Sequence, residues 1–251
     1  MSHPIISDWP YPFWIAHRGA GHLAPENTLA AFRLGARYGY RMFECDAKLS
    51  ADGVVFLMHD TELDRTTNGH GVGGEHPWSE LARLDAGTWH SRSYAGETIP
   101  TLENVARYCR ANDWLIDIEI KPTPGAEEKT GHAVAELVQR AWQGAPHPPL
   151  LTSFRPESLV GAKKAVPELP RGLLLDTLWD GWFDIARQLE CVAIVCNHTL
   201  WNARTVAQTK AAGWRALSYT VDDKPEAGRL IDLGTDGIVT NRVDLFSPAA
   251  R

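Results

Sequence analysis

The chain has little sulfur chemistry to offer. Its four cysteines, Cys45, Cys109, Cys191 and Cys196, form no CxxC pair and no zinc-type spacing. A chain of 251 residues without a disulfide pattern fits a reducing, cytoplasmic setting. Basic runs are missing and the formal net charge is -6, so nucleic acid is not expected as the main partner. No run of 18 apolar residues occurs, so no membrane span is expected. The opening MSHPIISDWPYPFW has neither a basic n-region nor an apolar h-region and does not read as a signal peptide. Internal repeats and low-complexity segments are absent as well.

What the chain does have is length for one large core and many tryptophans. Its 251 residues suit a single domain and match the roughly 250 residues of a (β/α)8 barrel. Core packing accounts for most of the ten tryptophans. Trp179, Trp182 and Trp201 fit a pocket wall, a homodimer face or core equally well.

Short apolar runs predict nine strands, at 13–17, 42–46, 54–58, 115–120, 150–153, 172–175, 192–196, 216–221 and 237–240. Helical patterns at 28–38, 102–109, 133–142, 156–165, 203–212 and 225–233 separate most of them. The last two stop at Gly213 and Gly234, as helix ends do. Alternating strand and helix implies a parallel sheet.

One connection is too short for that scheme. Seven residues separate Asp46 from Val54, with Asp52-Gly53 among them. A parallel crossover needs about a dozen, whereas Asp-Gly is a hairpin signal. The 54–58 strand should therefore run antiparallel to its predecessor. Eight parallel strands then remain, enough to close a barrel. The hairpin also returns His59 to the level of Glu44 and Asp46. The stretch after it is rich in Gly, Thr and charge and too long for an ordinary loop. Residues 47–104 are thus expected to form a small inserted lobe over the barrel mouth, with 1–46 and 105–251 as the barrel.

Acids inside apparently buried strands carry the functional signal. Glu44 and Asp46 share one strand face, as do Glu119 and Lys121. Buried charges are normally paired or bind metal. Glu44, Asp46 and Glu119 offer hard oxygen ligands, which suit one divalent cation, Mg2+ or Ca2+, over zinc. His17 and His59 flank this cluster and titrate near neutral pH, so they can take and give protons in one cycle. Arg18 and Lys121 can face phosphate oxygens, or neutralise the carboxylates. Asn197 and His198 end a strand at the same face. His22 and His70 lie near the mouth, while His76, His90, His132 and His147 read as surface or loop residues. Cys45, between two inward acids, should point outward and be inert.

The run His17-Arg18-Gly19, Pro25-Glu26-Asn27-Thr28, Glu44-Cys45-Asp46, His59-Asp60, Arg65-Thr66-Thr67-x-Gly69 and Glu119-Ile120-Lys121 resembles the glycerophosphodiester phosphodiesterases. Order and spacing match over nearly the whole chain, including Asp236-Gly237-Ile238-Val239-Thr240-Asn241. The segment Pro167-Glu168-Leu169-Pro170-Arg171-Gly172 is similar to the cytoplasmic bacterial members. The resemblance implies a barrel with an insertion after its second strand. It implies cleavage of glycerophosphodiesters to sn-glycerol 3-phosphate and an alcohol. It puts the metal ligands on Glu44, Asp46 and Glu119, the acid–base histidines on His17 and His59, and the phosphate contacts on Arg18 and Lys121. Glu26 and Asn27 would stand behind these groups or in the pocket. Tyr219 stands where many members have tryptophan, and Asn241 replaces a common aspartate, which puts any contact from that position in doubt. Three other readings share these residues: a phospholipase-type phosphodiesterase on a lyso-lipid, a non-catalytic glycerophosphodiester-binding protein, and a metal-dependent isomerase or aldolase on the same barrel.

Overall fold

The computed structural model describes residues 9–249. The first eight residues of the opening segment, and the last two of the barrel range, lie outside the described residues. The strands are β1 (Trp14–Ala16), β2 (Met42–Leu49), β3 (Val55–Leu57), β4 (Leu115–Ile120), β5 (Leu150–Ser153), β6 (Arg171–Leu175), β7 (Ala193–Asn197), β8 (Arg215–Tyr219) and β9 (Gly237–Thr240). The helices are α1 (Leu29–Arg37), α2 (Trp78–Leu81), α3 (Leu102–Ala111), α4 (Glu127–Ala141), α5 (Pro156–Ala165), α6 (Trp182–Gln188), α7 (Ala203–Ala211) and α8 (Lys224–Leu233).

Eight parallel strands close into a (β/α)8 barrel, with β1 hydrogen-bonded to both β9 and β2. The ninth strand, β3, runs antiparallel against the end of β2, pairing Leu57 with Ala47 and Val55 with Leu49. The hairpin argument therefore holds, and β2 runs three residues past its expected end because β3 supplies partners there. Three helical features differ from expectation, the first being the unforeseen single turn of α2. The seven-residue α6 has no apolar periodicity long enough to mark it. α4 starts at Glu127 rather than 133, since its first turns are polar yet pack a bare backbone face at Gly131.

Strand parity sorts the core. Outward residues of β2 and β4, such as Phe43, Cys45, Ile116 and Ile118, pack under the helices. Inward residues at the lower end, including Ile15, Met42, Leu150, Leu174 and Leu217, fill the barrel bottom. Tyr11 lies among them and donates to the Pro148 carbonyl at 2.9 Å. Above this apolar plug the inward positions turn polar: Glu44, Asp46 and Lys48 on β2, Asp117 and Glu119 on β4.

β3 and the residues after it build a small core of their own from Phe56, Met58, Leu63, Leu81, Ala86 and Ile99. With little regular structure, this lobe is organised by Asp85, which accepts hydrogen bonds from the backbones of Gly87, Thr88 and Gly96. It leans on the start of α1 and on the connection before it: Ala30 N donates to Glu97 at 3.0 Å, and the His90 ring contacts the His22 carbonyl at 3.0 Å.

Gly131 and Gly161 let α4 and α5 meet backbone to backbone. A Cβ at 131 would collide with the Ser158 carbonyl, and one at 161 with that of Glu128. Alanine in a helix ordinarily gains up to about 1 kcal/mol over glycine, but overpacking costs about 1–3 kcal/mol. Gly131→Ala is expected to lower Tm by about 2–6 °C, measured by calorimetry. An unchanged or raised Tm would contradict the close approach.

Candidate active site

The register of β2 on β4 sets the acids side by side. Glu44 pairs with Asp117 and Asp46 with Glu119 across one parallel ladder. One oxygen from each of Glu44, Asp46 and Glu119 lies within 4.8 Å of the other two, and all three residues are buried.

The turn after β1 brings the first basic groups to these acids. Arg18 adopts a left-handed φ of 51° and Gly19 follows at 99°, where a Cβ would press on the Phe32 backbone nitrogen at 2.8 Å. This turn aims the Arg18 backbone N–H at Glu44 Oε2, 3.0 Å away. The Arg18 side chain donates to Glu26 at 2.8 Å and places Nε 3.2 Å from Asp46 Oδ2. Asn27, also left-handed at φ 59°, clasps Asp46: its Nδ2 donates to Oδ2 at 2.8 Å, and its Oδ1 accepts from the Asp46 N–H at 3.1 Å.

His17 is held from the far end of the chain. Asn241 donates through Nδ2 to Asp222 at 2.9 Å, which turns its Oδ1 toward His17 Nδ1 at 2.6 Å. The proton therefore belongs on Nδ1, and Nε2 keeps its lone pair, 3.7 Å from Glu44 Oε2. Gly21 permits this junction, because a Cβ there would strike the Asn241 backbone.

His59, returned by the β2–β3 hairpin, contacts Asp60 through Nδ1 at 2.7 Å and accepts from Lys121 Nζ through Nε2 at 2.8 Å. Arg65 of the lobe grips Asp60 Oδ2 at 2.5 Å and both oxygens of Glu26 at 2.8 and 2.9 Å. A continuous chain thus runs from His59 through Asp60, Arg65 and Glu26 to Arg18 and Asp46.

Burial and like charge shape the titration. Desolvation, with Asp46 adding repulsion, raises Glu119 to about 7 despite Lys121 at 2.9 Å. The same two causes raise Glu44 well above the carboxylate range. Burial also pushes at Asp46, but Arg18, Lys121 and His59 outweigh it and hold that carboxyl below its usual value. Desolvation, with Arg18 repulsion, lowers His17 to about 4. His59 is lowered chiefly by desolvation. Both imidazoles are therefore neutral near pH 7.

The donor set fits a hard divalent cation. Its ligand atoms are all carboxylate oxygens, and Asp46 Oδ1 is buried without a hydrogen-bond partner. A cation there would relieve the repulsion that raises Glu44 and Glu119.

Two compartments open at this end. One, about 200 Å3, follows the barrel axis and is lined by His17, Arg18, Glu44, Asp117, Thr152 and Tyr219 among others. The second, about 250 Å3, lies toward the rim beside Lys48, Thr61 and Arg155. His59, Glu119, Lys121 and Phe154 border both.

The structure thus gathers His17, Arg18, Glu26, Asn27, Glu44, Asp46, His59, Glu119 and Lys121 into one cluster. Tyr219 lines the axial compartment and donates to the Leu175 carbonyl at 3.1 Å. Asn197 lines neither compartment: it donates to Asp176 at 3.1 Å and caps the turn at Thr199. His198 pairs with Glu226 at 2.5 Å, and His70 with Asp64 on the exposed lobe. His22 reaches Asp222 at 3.8 Å on the rim. Reasoning on the sequence passed over Asp117, Thr152 and Lys48. Asp117 accepts from Thr152 at 2.8 Å and is raised to about 7 by desolvation. Parity could have found two of the three, because Asp117 is two residues from Glu119 and Lys48 two from Asp46.

Fold and site together define a class: a (β/α)8-barrel enzyme whose polar groups converge at the carboxyl ends of the strands. The chain belongs to the glycerophosphoryl diester phosphodiesterase family, whose model matches residues 17–245. It is 36% identical over 234 residues to the glycerophosphodiester phosphodiesterase of Caldanaerobacter subterraneus subsp. tengcongensis, covering 90% of this chain and 93% of that one. A Bacillus subtilis glycerophosphodiester phosphodiesterase is 31% identical over 249 residues, covering 92% and 84%. Among solved structures, an Oleispira antarctica phosphodiesterase in complex with the product sn-glycerol-3-phosphate superposes with a TM-score of 0.89 at 34% identity, covering 95% of this chain and 96% of that one.

A raised Glu119 must lose its proton to ligate a cation. Affinity for Ca2+ or Mg2+ is therefore expected to rise as pH increases through about 7 and to fall below it. Calorimetric titration at pH 6 and pH 8 checks this, and equal affinity at both would refute the charge reading.

Proposed function

We propose that this enzyme hydrolyses glycerophosphodiesters to sn-glycerol 3-phosphate and an alcohol, using one divalent cation and two histidines. The convergence of three buried carboxylates with His17 and His59 carries the reading. A non-catalytic binding protein has no need of two oriented imidazoles. A lyso-lipid phosphodiesterase needs a broad apolar rim, and the described large apolar side chains with high exposure are few, namely Tyr38, Trp89, Leu178 and Trp179.

Glu44, Asp46 and Glu119 would hold Mg2+ or Ca2+, which on binding offsets phosphoryl charge and acidifies a substrate hydroxyl. Arg18 and Lys121 face the phosphoryl oxygens and stabilise the charge that builds on them. His17 Nε2, neutral and with its lone pair free, takes the proton of the glycerol 2-hydroxyl. That oxygen attacks phosphorus and gives a cyclic phosphate. As the phosphate draws the Lys121 ammonium away, the freed His59 Nε2 takes up a proton from solvent, the Asp60 carboxylate on Nδ1 stabilising the imidazolium, and delivers it to the departing alcohol oxygen. Asp60 and Arg65 keep the ring oriented throughout. Water then opens the cyclic phosphate with the histidine roles reversed. Direct attack by water is the competing route, and detection of the cyclic phosphate separates the two. Four buried, unpaired cysteines support a reducing, cytoplasmic setting for this reaction. Among the described residues, no helix is long and apolar enough to cross a membrane.

Each positioned proton transfer contributes about 10²–10⁴-fold. His17→Ala and His59→Ala are each expected to lower kcat by about that factor with the circular dichroism spectrum unchanged. Near-normal turnover in either would end that residue's assignment. Assay on glycerophosphocholine should show sn-glycerol 3-phosphate and choline, and excess chelator should abolish both. Activity persisting in chelator would rule out the cation.

A further inference from the structure

This inference deepens the reading above and rests on it. His17 and Glu44 border only the axial compartment, while Lys48, Thr61 and Arg155 border only the rim compartment. In-line displacement puts the attacking and departing oxygens on opposite sides of phosphorus. The attacking oxygen gives its proton to His17, on the axial side. The departing oxygen meets His59, which stands in the shared wall. The glycerol half therefore fills the axial compartment, and the departing alcohol projects into the rim compartment.

Lys48 marks what that alcohol should be. Its side chain comes off β2 on the same face as Asp46 and is 1% exposed. An ammonium has three donors, and among the described residues its one acceptor is the Lys121 carbonyl at 3.0 Å. Buried donors without acceptors are costly, so an acceptor from the ligand is favoured. Arg155 adds a second cation to this wall and the shared Lys121 a third, against two acids, the shared Glu119, paired with Lys121 at 2.9 Å, and Glu127, whose Oε1 accepts from Gly125 N at 3.1 Å. A trimethylammonium group prefers an open aromatic face. Phe154 is the aromatic side chain here, and Lys121 Nζ already lies 5.5 Å from its ring centroid while Tyr219 packs on it edgewise.

We propose that the rim compartment is the subsite for the departing alcohol, and that Lys48 selects alcohols bearing a hydroxyl or carboxylate over those bearing a quaternary ammonium. The bond that breaks is the one from phosphorus to this alcohol. Its electron pair stays on the alcohol oxygen, which takes the proton that His59 has drawn from solvent, and the water that opens the cyclic phosphate returns a proton to His59, so no further reactant is required.

The test compares kcat/KM on glycerophosphoglycerol and glycerophosphocholine, which share the glycerol phosphate half. Wild type should favour glycerophosphoglycerol. Lys48→Met should cut that preference by about tenfold, the worth of one hydrogen bond to a charged group, and Lys48→Arg should restore much of it. Preference for the choline diester in wild type, or equal losses on both substrates in Lys48→Met, overturns the proposal. Should Lys48→Met not fold, inhibition of wild type by added alcohols decides: glycerate should inhibit more strongly than choline, and the reverse order overturns it. Wild type that cleaves neither diester defeats the parent reading. Wild type that cleaves both without discrimination defeats the subsite alone.

Discussion

The pairing of β2 with β4 is the constraint on which the rest depends. With Glu44 opposite Asp117 and Asp46 opposite Glu119, carboxylates from two strands meet at one height inside the barrel. A slip of one residue would exchange faces, burying the acids under the helices and turning Cys45 and Ile118 into the mouth. The apolar layer beneath, from Ile15, Met42 and Leu217, prevents that slip because it must also stay inward. The same parity that packs the lower core thus delivers charge to the upper end.

Such a concentration of like charge stands only because its neighbours are fixed. Arg18 occupies a left-handed conformation that costs a non-glycine residue about 1–2 kcal/mol. It is kept there by bonds to Glu44, Glu26 and Asp46. Arg65 extends the same fixation into the lobe, so that the orientation of His59 and the position of Arg18 hang on one guanidinium. The lobe therefore tunes the barrel's charges by direct bonding as well as standing beside them. An anionic substrate that competes for Arg18 and Lys121 would be felt along the whole chain of contacts.

Much of this was legible in the sequence, and the reasons are physical. Period-two alternation marks β2 and β4 because one face is fully buried in the helix layer. Seven residues between Asp46 and Val54 exclude a crossover, so the hairpin and the return of His59 follow from chain length alone. The gaps are equally physical. α6 is too short for its pattern to register. Asn241 looks from the sequence like a departure that weakens its position. The structure instead puts its carboxamide oxygen on His17, because Asp222, 19 residues away, orients the amide. No spacing rule reports such a partner. Lys48 and Asp117 obey the parity of their neighbours, yet a lone charge in a strand does not reveal whether it meets a carbonyl, a hydroxyl or open space.

The junction at Asn241 also reaches into biosynthesis. His17 lies near the start of the chain and the residue that turns it near the end, joined through the β1–β9 ladder. During translation His17 is made early, but the Asn241 amide that holds its ring is made only after the final strand. The geometry of the site is thereby tied to barrel completion: a chain that stops before β9 lacks both the strand that closes the barrel on β1 and the amide that orients His17.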